Sequence, residues 1–239
     1  MMRQPHAVVR RRFVRITIRA SLSAIAGLLV VIAGCGRVAT ELTNGGLFGP
    51  SDYAGLVAQA EAGSEAVDFR AMRLAYLKSP AHERARKEAK DLARLQNEMF
   101  QAARENDHAR VGSAARQILA VEYVNLFGQK FLGHSCAALH DDVCAKQHRF
   151  VELGLLRSIV SSGDGASCDT SWEVISIQEE YFVLSMRGTK LLQQAPVSGK
   201  RHSCDEMKVT DEQGIERTYY FNVDALLADE AAGLKGHRD

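Results

Sequence analysis

The chain has 239 residues, 46% of them hydrophobic, with 30 Lys and Arg against 29 Asp and Glu. The first 34 residues contain six of these basic residues and no acidic residue, so the rest of the chain carries a formal net charge of −5. This acidic balance argues against nucleic acid or anionic lipid headgroups as the main partner. About 200 residues of ordinary apolar content are enough for one core, with or without a small appendage.

The N-terminal segment has the anatomy of an export signal. Six arginines between Arg3 and Arg19 precede an apolar run from Ala20 to Ile32, and Ala33-Gly34-Cys35 follows. About 13 apolar residues are too few to span a ~30 Å hydrocarbon core comfortably as a permanent helix, but they suit a signal peptide. The small residues before Cys35 resemble the lipobox of bacterial lipoproteins, in which this cysteine thiol receives a diacylglycerol.

This resemblance implies a signal peptide at residues 1–34, lipidation of Cys35, and a flexible tether over residues 35–51 that anchors the body to a bilayer. Gly36, in place of an acidic residue, favours the outer membrane over the inner membrane. The alternative is an uncleaved signal anchor in which Cys35 has no role. Arg10-Arg11-Arg12 also resembles the twin-arginine export signal, although the general export route is favoured.

Four further cysteines invite pairing, because an exported chain meets an oxidising compartment. Of three connectivities, we favour Cys136–Cys144, which flanks a predicted helix–helix turn, together with Cys168–Cys204, which joins a loop to a strand. A zinc site is the competing interpretation, but these cysteines form no C-x-x-C spacing. We therefore predict two disulfides, no metal and no cofactor.

Residues 52–161 predict a helical region. Asp52 is an expected N-cap for a helix over Tyr53–Glu61, and a second helix ends before Pro80. Four further helices follow from apolar residues at three- to four-residue spacing, with breaks near Asp107 and Asp141. The breaks lie about 34 residues apart, which resembles the period of the tetratricopeptide repeat. The marker residues of that repeat are missing, so a generic α-bundle is an equal alternative.

Residues 162–239 predict a small β/α region packed on the helices. The expected elements are a strand over Trp172–Ile177, a helix over Glu179–Arg187, strands over Lys190–Val197, His202–Thr210 and Ile215–Val223, and a helix over Ala225–Ala232 capped by Asp224. The predicted fold class is therefore α+β, with antiparallel helix pairs packed against a small C-terminal antiparallel sheet.

Motifs spread over roughly residues 65–225 resemble a family of bacterial envelope proteins known only as a domain of unknown function. These motifs are Phe69-x-x-x-Arg73-Leu74-x-Tyr76, Ser162-Gly163-Asp164-Gly165-x-Ser167, Val174-Ile175-Ser176-Ile177, Glu179-Glu180-Tyr181 and Tyr220-Phe221-Asn222. The resemblance implies a helical body with a C-terminal sheet and supplies no activity. Cys168 and Cys204 are departures from the family pattern, which adds a disulfide to the scaffold.

The most distinctive local feature is Asp164 between Gly163 and Gly165, followed by Ser167. Such a loop could cradle an anion with its backbone N–H groups, or present a carboxylate to a cation. The favoured alternative is a helix-to-strand turn in which Asp164 is a local cap.

Glu179 and Glu180 could supply a carboxylate pair for acid–base chemistry, although a first helical turn favoured by the helix dipole is the commoner role. His148 and Glu152 lie one helical turn apart, a spacing that a metal could use, but a surface ion pair is favoured. Convergence of His134, His148, Asp164 and Glu180 would make a metal or hydrolytic site credible.

We therefore expect an envelope lipoprotein, facing the periplasm, that is a protein- or peptide-binding or scaffold module rather than an enzyme. The alternative is a metal-binding protein or hydrolytic enzyme built around Asp164 and His134 or His148. A third possibility is an accessory lipoprotein of an assembly machine with no ligand of its own.

Overall fold

The computed structural model describes residues 52–235, in which helices come first along the chain and most of a sheet comes last. The helices are α1 (Tyr53–Glu61), α2 (Phe69–Tyr76), α3 (Pro80–Lys87), α4 (Ala89–Arg104), α5 (His108–Leu119), α6 (Leu126–Ala138), α7 (Asp142–Val160), α8 (Ile177–Met186) and α9 (Asp224–Lys235). The strands are β1 (Trp172–Glu173), β2 (Lys190–Ser198), β3 (Ser203–Thr210) and β4 (Glu216–Asn222). A short 3-10 helix spans Cys168–Thr170. The predicted α+β class, with helices before the sheet, is confirmed.

Side-chain caps set most of the helix starts. Asp52 Oδ1 accepts the Gly55 amide at 2.7 Å, so α1 begins where the sequence predicted. Each such cap stabilises its helix by about 1 kcal/mol. The same arrangement, in which a side chain accepts an amide three residues on, occurs at Asp68, Ser79, Asp107, Asn125, Asp141 and Ser176.

The two predicted helix breaks have the same local structure. Asn106 and His140 have φ values of 56° and 61°, in the left-handed region that ends a helix. The next residues, Asp107 and Asp141, cap α5 and α7. Helices α4 to α7 pack consecutively, each against the next, as the prediction of helix pairs requires.

Two apolar clusters hold the helices and the sheet. The first lies within α4–α7, where Gly112 of α5 approaches α6 so closely that a Cβ atom would lie 2.7 Å from Ser135 Oγ. The second joins α1, α2 and α7 to α8 and the sheet, and is built around Met72, Leu155, Phe182, Met207 and Phe221.

The sheet has the order β1-β4-β3-β2, with β2 antiparallel to β3 and β3 antiparallel to β4. The prediction of a wholly antiparallel sheet was wrong at β1, which pairs parallel with β4 through Trp172 and Phe221. The predicted strand over Trp172–Ile177 was also too long, because the Ser176 side chain caps α8 and starts a helix at Ile177.

Both predicted disulfides are present. Cys136–Cys144 links α6 to α7, and Cys168–Cys204 links the 3-10 helix to β3, each with a Cα–Cα distance of 5.8 Å. Over residues 52–235, no helix has the length and hydropathy needed to span a bilayer. The predicted signal peptide, the Cys35 lipidation and the tether lie outside the described residues.

Candidate functional site

The loop at residues 163–167 has the geometry of a turn. The amides of Asp164 and Gly165 both donate to the Thr170 carbonyl, at 3.0 and 2.9 Å. Asp164 Oδ1 accepts the Ala166 amide at 2.9 Å. Hydrogen bonds from the Thr170 side chain and this amide lower the pKa of Asp164. The two backbone amides that an anion would need are therefore already bonded within the chain.

This loop also holds the single tryptophan. Trp172 Nε1 donates to the Gly163 carbonyl at 3.1 Å, and the Gly165 carbonyl accepts the Tyr220 amide at 3.0 Å. Gly165 has a φ of +68°, and a Cβ atom there would lie 2.8 Å from the Trp172 ring. Ser167 Oγ contacts Thr170 Oγ1 at 3.0 Å. The loop joins α7 to the sheet by binding its own chain.

The structure does not bring the predicted histidine and carboxylate ligands together. His134 is exposed on α6, while His148 Nδ1 lies 2.7 Å from Gln129 Oε1. Burial, then the Arg116 charge, lowers the pKa of His148. Glu152 is buried and pairs with Arg149 at 2.9 Å.

Within residues 52–235, the one group of three potential metal ligands that meets at close range is Cys136, Asp141 and Cys144. Both of its sulfur atoms are bonded in a disulfide. Neither His134 nor Asp164 is part of such a group, so the described geometry offers no support for the metal or hydrolytic alternative.

Glu179 and Glu180 lie in the first turn of α8, as predicted, but both are buried. Glu179 accepts from Arg73 Nε at 2.7 Å and from Arg73 Nη2 at 2.6 Å. It also accepts the Ile175 amide at 2.8 Å. Arg73 is itself fully buried and donates through Nη2 to the Glu173 carbonyl at 2.7 Å. This ion pair ties α2 to α8 and to β1.

Glu180 points to a different environment from Glu179, since neighbouring residues on a helix project about 100° apart. Gln194 Nε2 lies 3.4 Å from Glu180 Oε2 and donates to Asp205 Oδ2 at 2.6 Å. Burial, then the charges of Asp205 and Glu179, raises the pKa of Glu180 to about 8. At neutral pH the Glu180 carboxyl is therefore mostly protonated, and it packs between α8 and the sheet as a neutral group.

A small cavity of about 120 Å³ is lined by Glu179 and by residues of α2, α3 and the segment before α6. Tyr76 Oη donates to Glu122 at 3.2 Å, and Asn125 Nδ2 donates to Glu122 at 3.0 Å. At its edge, His82 Nε2 lies 2.8 Å from Asp229 Oδ2. Burial, then the Glu122 charge, raises the pKa of Tyr76. The Tyr76 and Glu122 polar atoms already bond to each other, whereas His82 Nδ1 is buried with no hydrogen-bond partner.

An apolar concavity lies beside α1. It has a volume of about 690 Å³ and runs between α1, the α2–α3 turn and the connection from α5 to α6. We call it the α1 groove, and its apolar walls include Tyr53, Val57, Ala75, Pro80, Ala81 and Val121.

The apolar and aromatic residues that line the α1 groove carry no charge at physiological pH. Burial raises the pKa of Tyr53, and it raises the pKa of Tyr123 to about 12, so both phenols stay neutral. The charged residues of the lining are Asp52, which is half-buried, and Glu61 and Lys78, which are exposed. Such a groove suits a ligand whose buried part is apolar and whose solvent-exposed part is polar.

Sequence reasoning missed both concavities. The smaller cavity was missed because His82 lies in a run of mixed charges that is typical of a solvated helix face. Its partner Asp229 is also 147 residues away in the chain. The α1 groove is built from small apolar positions on three separate segments, none of which carries a motif.

With the fold and these sites described, comparison with known proteins gives the family. Residues 60–232 match the domain of unknown function DUF4919, and the chain belongs to this family. The predicted resemblance to an uncharacterised domain is thus confirmed. No curated protein and no solved structure matches the chain significantly.

Proposed function

We propose that this chain is an envelope lipoprotein, anchored through Cys35, whose α1 groove binds a polypeptide segment that carries apolar side chains. The observation that carries the proposal is the groove itself, with a volume of about 690 Å³ and apolar walls. Ligand clefts in proteins typically measure ~300–1,000 Å³ and have predominantly apolar walls. In the 163–167 loop, by contrast, the amides of Asp164 and Gly165 and the Asp164 side chain are bonded within the chain.

The chemistry of the walls favours a polypeptide over a charged small molecule. No charged group lies among the wall residues Tyr53, Val57 and Val121, so a ligand charge buried there would be left unpaired. Glu61 and Lys78 at the margin offer one charge of each sign to the polar backbone or side chains of a segment that leaves the groove.

The position of the groove along the chain agrees with a role at a membrane. Asp52 lines the groove and directly follows the predicted tether. The 16 residues from Gly36 to Ser51 would reach ~55 Å when fully extended. A partner within that distance of the lipid anchor could therefore reach the groove.

The experiment is selection and measurement of peptide ligands for the mature lipoprotein in detergent. Short random peptides are selected by display, and the dissociation constant of the best peptide is measured by fluorescence anisotropy. In the Val57→Asp variant a charge enters the apolar wall, so we expect the dissociation constant to rise at least about tenfold, or ~1.4 kcal/mol.

The matched control is Val143→Asp, because Val143 is 82% exposed on α7 and lies outside the groove lining. We expect this variant to bind the selected peptide like the unmodified chain, and circular dichroism checks that both variants stay folded. A peptide whose affinity is equal in the two variants, or failure to select any peptide, would overturn the proposal.

A further inference from the structure

We infer that the Cys136–Cys144 disulfide is a thiol–disulfide exchange site, which takes two electrons from a dithiol while the Cys168–Cys204 disulfide stays oxidised. The site lies between α6 and α7 and shares no residue with the lining of the α1 groove. The inference therefore does not depend on the proposed function. It is carried by the different groups that surround the sulfur atoms of the two disulfides.

A cationic side chain contacts one sulfur of the Cys136–Cys144 pair. Arg116 Nη2, on α5, donates to Cys136 Sγ at 3.7 Å. After burial, the charge of Arg116 also lowers the pKa of His148, so this charge acts on α7 as well. A guanidinium beside the sulfur stabilises the thiolate that forms when the disulfide is reduced. Stabilisation of the reduced form makes a disulfide a stronger oxidant.

The second sulfur of this pair belongs to the first turn of α7. Helix α7 begins at Asp142, and the Cys144 amide donates to the capping Asp141 Oδ1 at 3.1 Å. The positive end of the helix dipole favours a thiolate at this position. An Asp141 carboxylate oxygen lies within 4.8 Å of both sulfur atoms. Its negative charge opposes a thiolate, but the same carboxylate can accept the proton that a neutral thiol releases.

The Cys168–Cys204 disulfide has oxygen atoms as neighbours instead. Cys168 Sγ lies 3.4 Å from the His202 carbonyl oxygen, and Cys204 Sγ lies 3.4 Å from the Cys168 carbonyl oxygen. Ser171 Oγ lies 3.6 Å from Cys204 Sγ, and its hydroxyl already donates to the Cys168 carbonyl at 2.8 Å. These oxygen lone pairs repel a thiolate, so the reduced form of this disulfide is disfavoured.

The burial of the two cysteines sets the order of the exchange. Cys136 is 2% exposed and Cys144 is half-buried, so the incoming thiolate attacks Cys144 Sγ. The sulfur–sulfur bond breaks, and Cys136 leaves with the electron pair as the thiolate that faces Arg116. The second thiolate of the dithiol then attacks the partner sulfur that is bound to Cys144, and Cys144 leaves as a thiolate. The chain gains two electrons, the dithiol becomes a disulfide, and its two protons pass to the buffer or to the chain thiolates.

Thiol labelling at defined redox ratios tests the inference on the protein purified in detergent. Mixtures of reduced and oxidised glutathione are the probe, and two glutathione thiols act in turn in place of one dithiol. Cys136 and Cys144 share the tryptic peptide 131–146, whereas Cys168 and Cys204 lie in the peptides 158–187 and 202–208. Mass spectrometry of the alkylated peptides therefore reports on each disulfide separately.

We expect the equilibrium constant for reduction to be at least about tenfold larger for Cys136–Cys144 than for Cys168–Cys204. Circular dichroism of the same samples checks that the chain stays folded. Equal constants for the two disulfides, earlier reduction of Cys168–Cys204, or a Cys136–Cys144 disulfide that is not reduced at any glutathione ratio would overturn the inference.

Arg116→Gln tests the role that we assign to the guanidinium. Without this charge the Cys136 thiolate is less stable, so the equilibrium constant for reduction should fall at least about threefold, and Arg116→Lys should restore part of it. Arg110→Gln is the matched control on the same helix, because Arg110 pairs with Glu105 at 2.8 Å. Identical equilibrium constants in the Arg116→Gln and Arg110→Gln chains would contradict the assigned role.

Single-cysteine variants test the order of the two steps. The Cys136→Ser chain should form a mixed disulfide at Cys144 when it is incubated with oxidised glutathione. The Cys144→Ser chain should react at least about tenfold more slowly, because the remaining Cys136 is buried. A faster reaction at Cys136 than at Cys144 would show that the exchange does not begin at Cys144.

Discussion

Arg73 and Glu179 lie 106 residues apart in the chain and form a buried ion pair, with 2.6 Å between Arg73 Nη2 and Glu179 Oε2. The guanidinium donates through Nε as well, at 2.7 Å, so the contact is bidentate. The pair joins the opening helix of the family motif to the helix that carries the Glu-Glu-Tyr motif. It fixes the position of α8 between the helices and the sheet.

Removal of one partner from this pair should strongly destabilise the fold. Arg73→Leu leaves the Glu179 carboxylate buried without a counter-charge, which costs about 3–5 kcal/mol of unfolding free energy. The measurement is urea denaturation of the mature chain. The double variant Arg73→Leu/Glu179→Leu should recover a large part of this loss, because no charge is then left buried.

The matched control is Arg70→Leu on the same helix. Arg70 pairs with Glu173, but its side chain is 56% exposed, so the loss should stay below about 1 kcal/mol. Equal losses for Arg70→Leu and Arg73→Leu would contradict the structural role that we assign to the Arg73–Glu179 pair.

Stability should fall as pH rises through the range in which Glu180 titrates. Burial raises the pKa of Glu180 from its usual 4.5 to about 8, so between these values the folded chain keeps a proton that the unfolded chain has released. The unfolding free energy should therefore decrease with pH across this window, by at most ~1.4 kcal/mol per unit from this group. Glu180→Gln should flatten that slope.

Urea denaturation at several pH values between 5 and 9 measures this effect, with Glu216→Gln at an exposed position as the control. The control should keep the slope of the unmodified chain. A Glu180→Gln variant that retains the full slope would show that Glu180 does not hold a proton in the folded state.

The two disulfides should differ in what they contribute. Cys168–Cys204 closes a separation of 36 residues and Cys136–Cys144 one of 8. In the chain-entropy description, these loops correspond to upper limits of ~4 and ~2.5 kcal/mol. Thermal melting of the two double-serine variants measures the difference. A larger loss of melting temperature for the Cys136/Cys144 variant would contradict this ranking.

The Gly165 turn should be sensitive to a single methyl group. Gly165→Ala places an L-residue at a φ of +68° and drives its Cβ into the Trp172 ring. We expect a loss of about 1–3 kcal/mol and a shift in the fluorescence of Trp172, the single tryptophan. Gly214→Ala is the control, because its φ is +78° but nothing lies within 4 Å of the added methyl. The two variants would lose equal stability if only backbone strain mattered.

Local signals predicted the elements that local contacts determine. The Asp52 cap acts over three residues, so the sequence alone placed the start of α1 correctly. The break predicted near Asp107 likewise falls at the residue that caps α5. The strand prediction over Trp172–Ile177 was too long because two patterns overlap in these residues. Apolar and polar residues alternate there as in a strand, but Ser176 and Glu179 also form the sequence pattern of a helix N-terminus. There the local cap outweighed the alternation.

Contacts between residues far apart in the chain could not be predicted from the sequence. Nothing in the sequence around Glu179 indicates that Arg73 is its counter-charge, and nothing around His82 indicates that its partner is Asp229. The parallel pairing of β1 with β4 depends on the 163–170 turn, which brings Trp172 beside Phe221. The α1 groove is likewise a product of packing between segments, and no one segment encodes it.

The native mass of the lipoprotein extracted from membranes, recorded before and after addition of the selected peptide, tests the central claim most directly. The account predicts a chain that begins at Cys35, carries acyl chains and two disulfides, and takes up one peptide. A chain that retains residues 1–34 without acylation, or a lipidated chain that takes up no peptide, would contradict it.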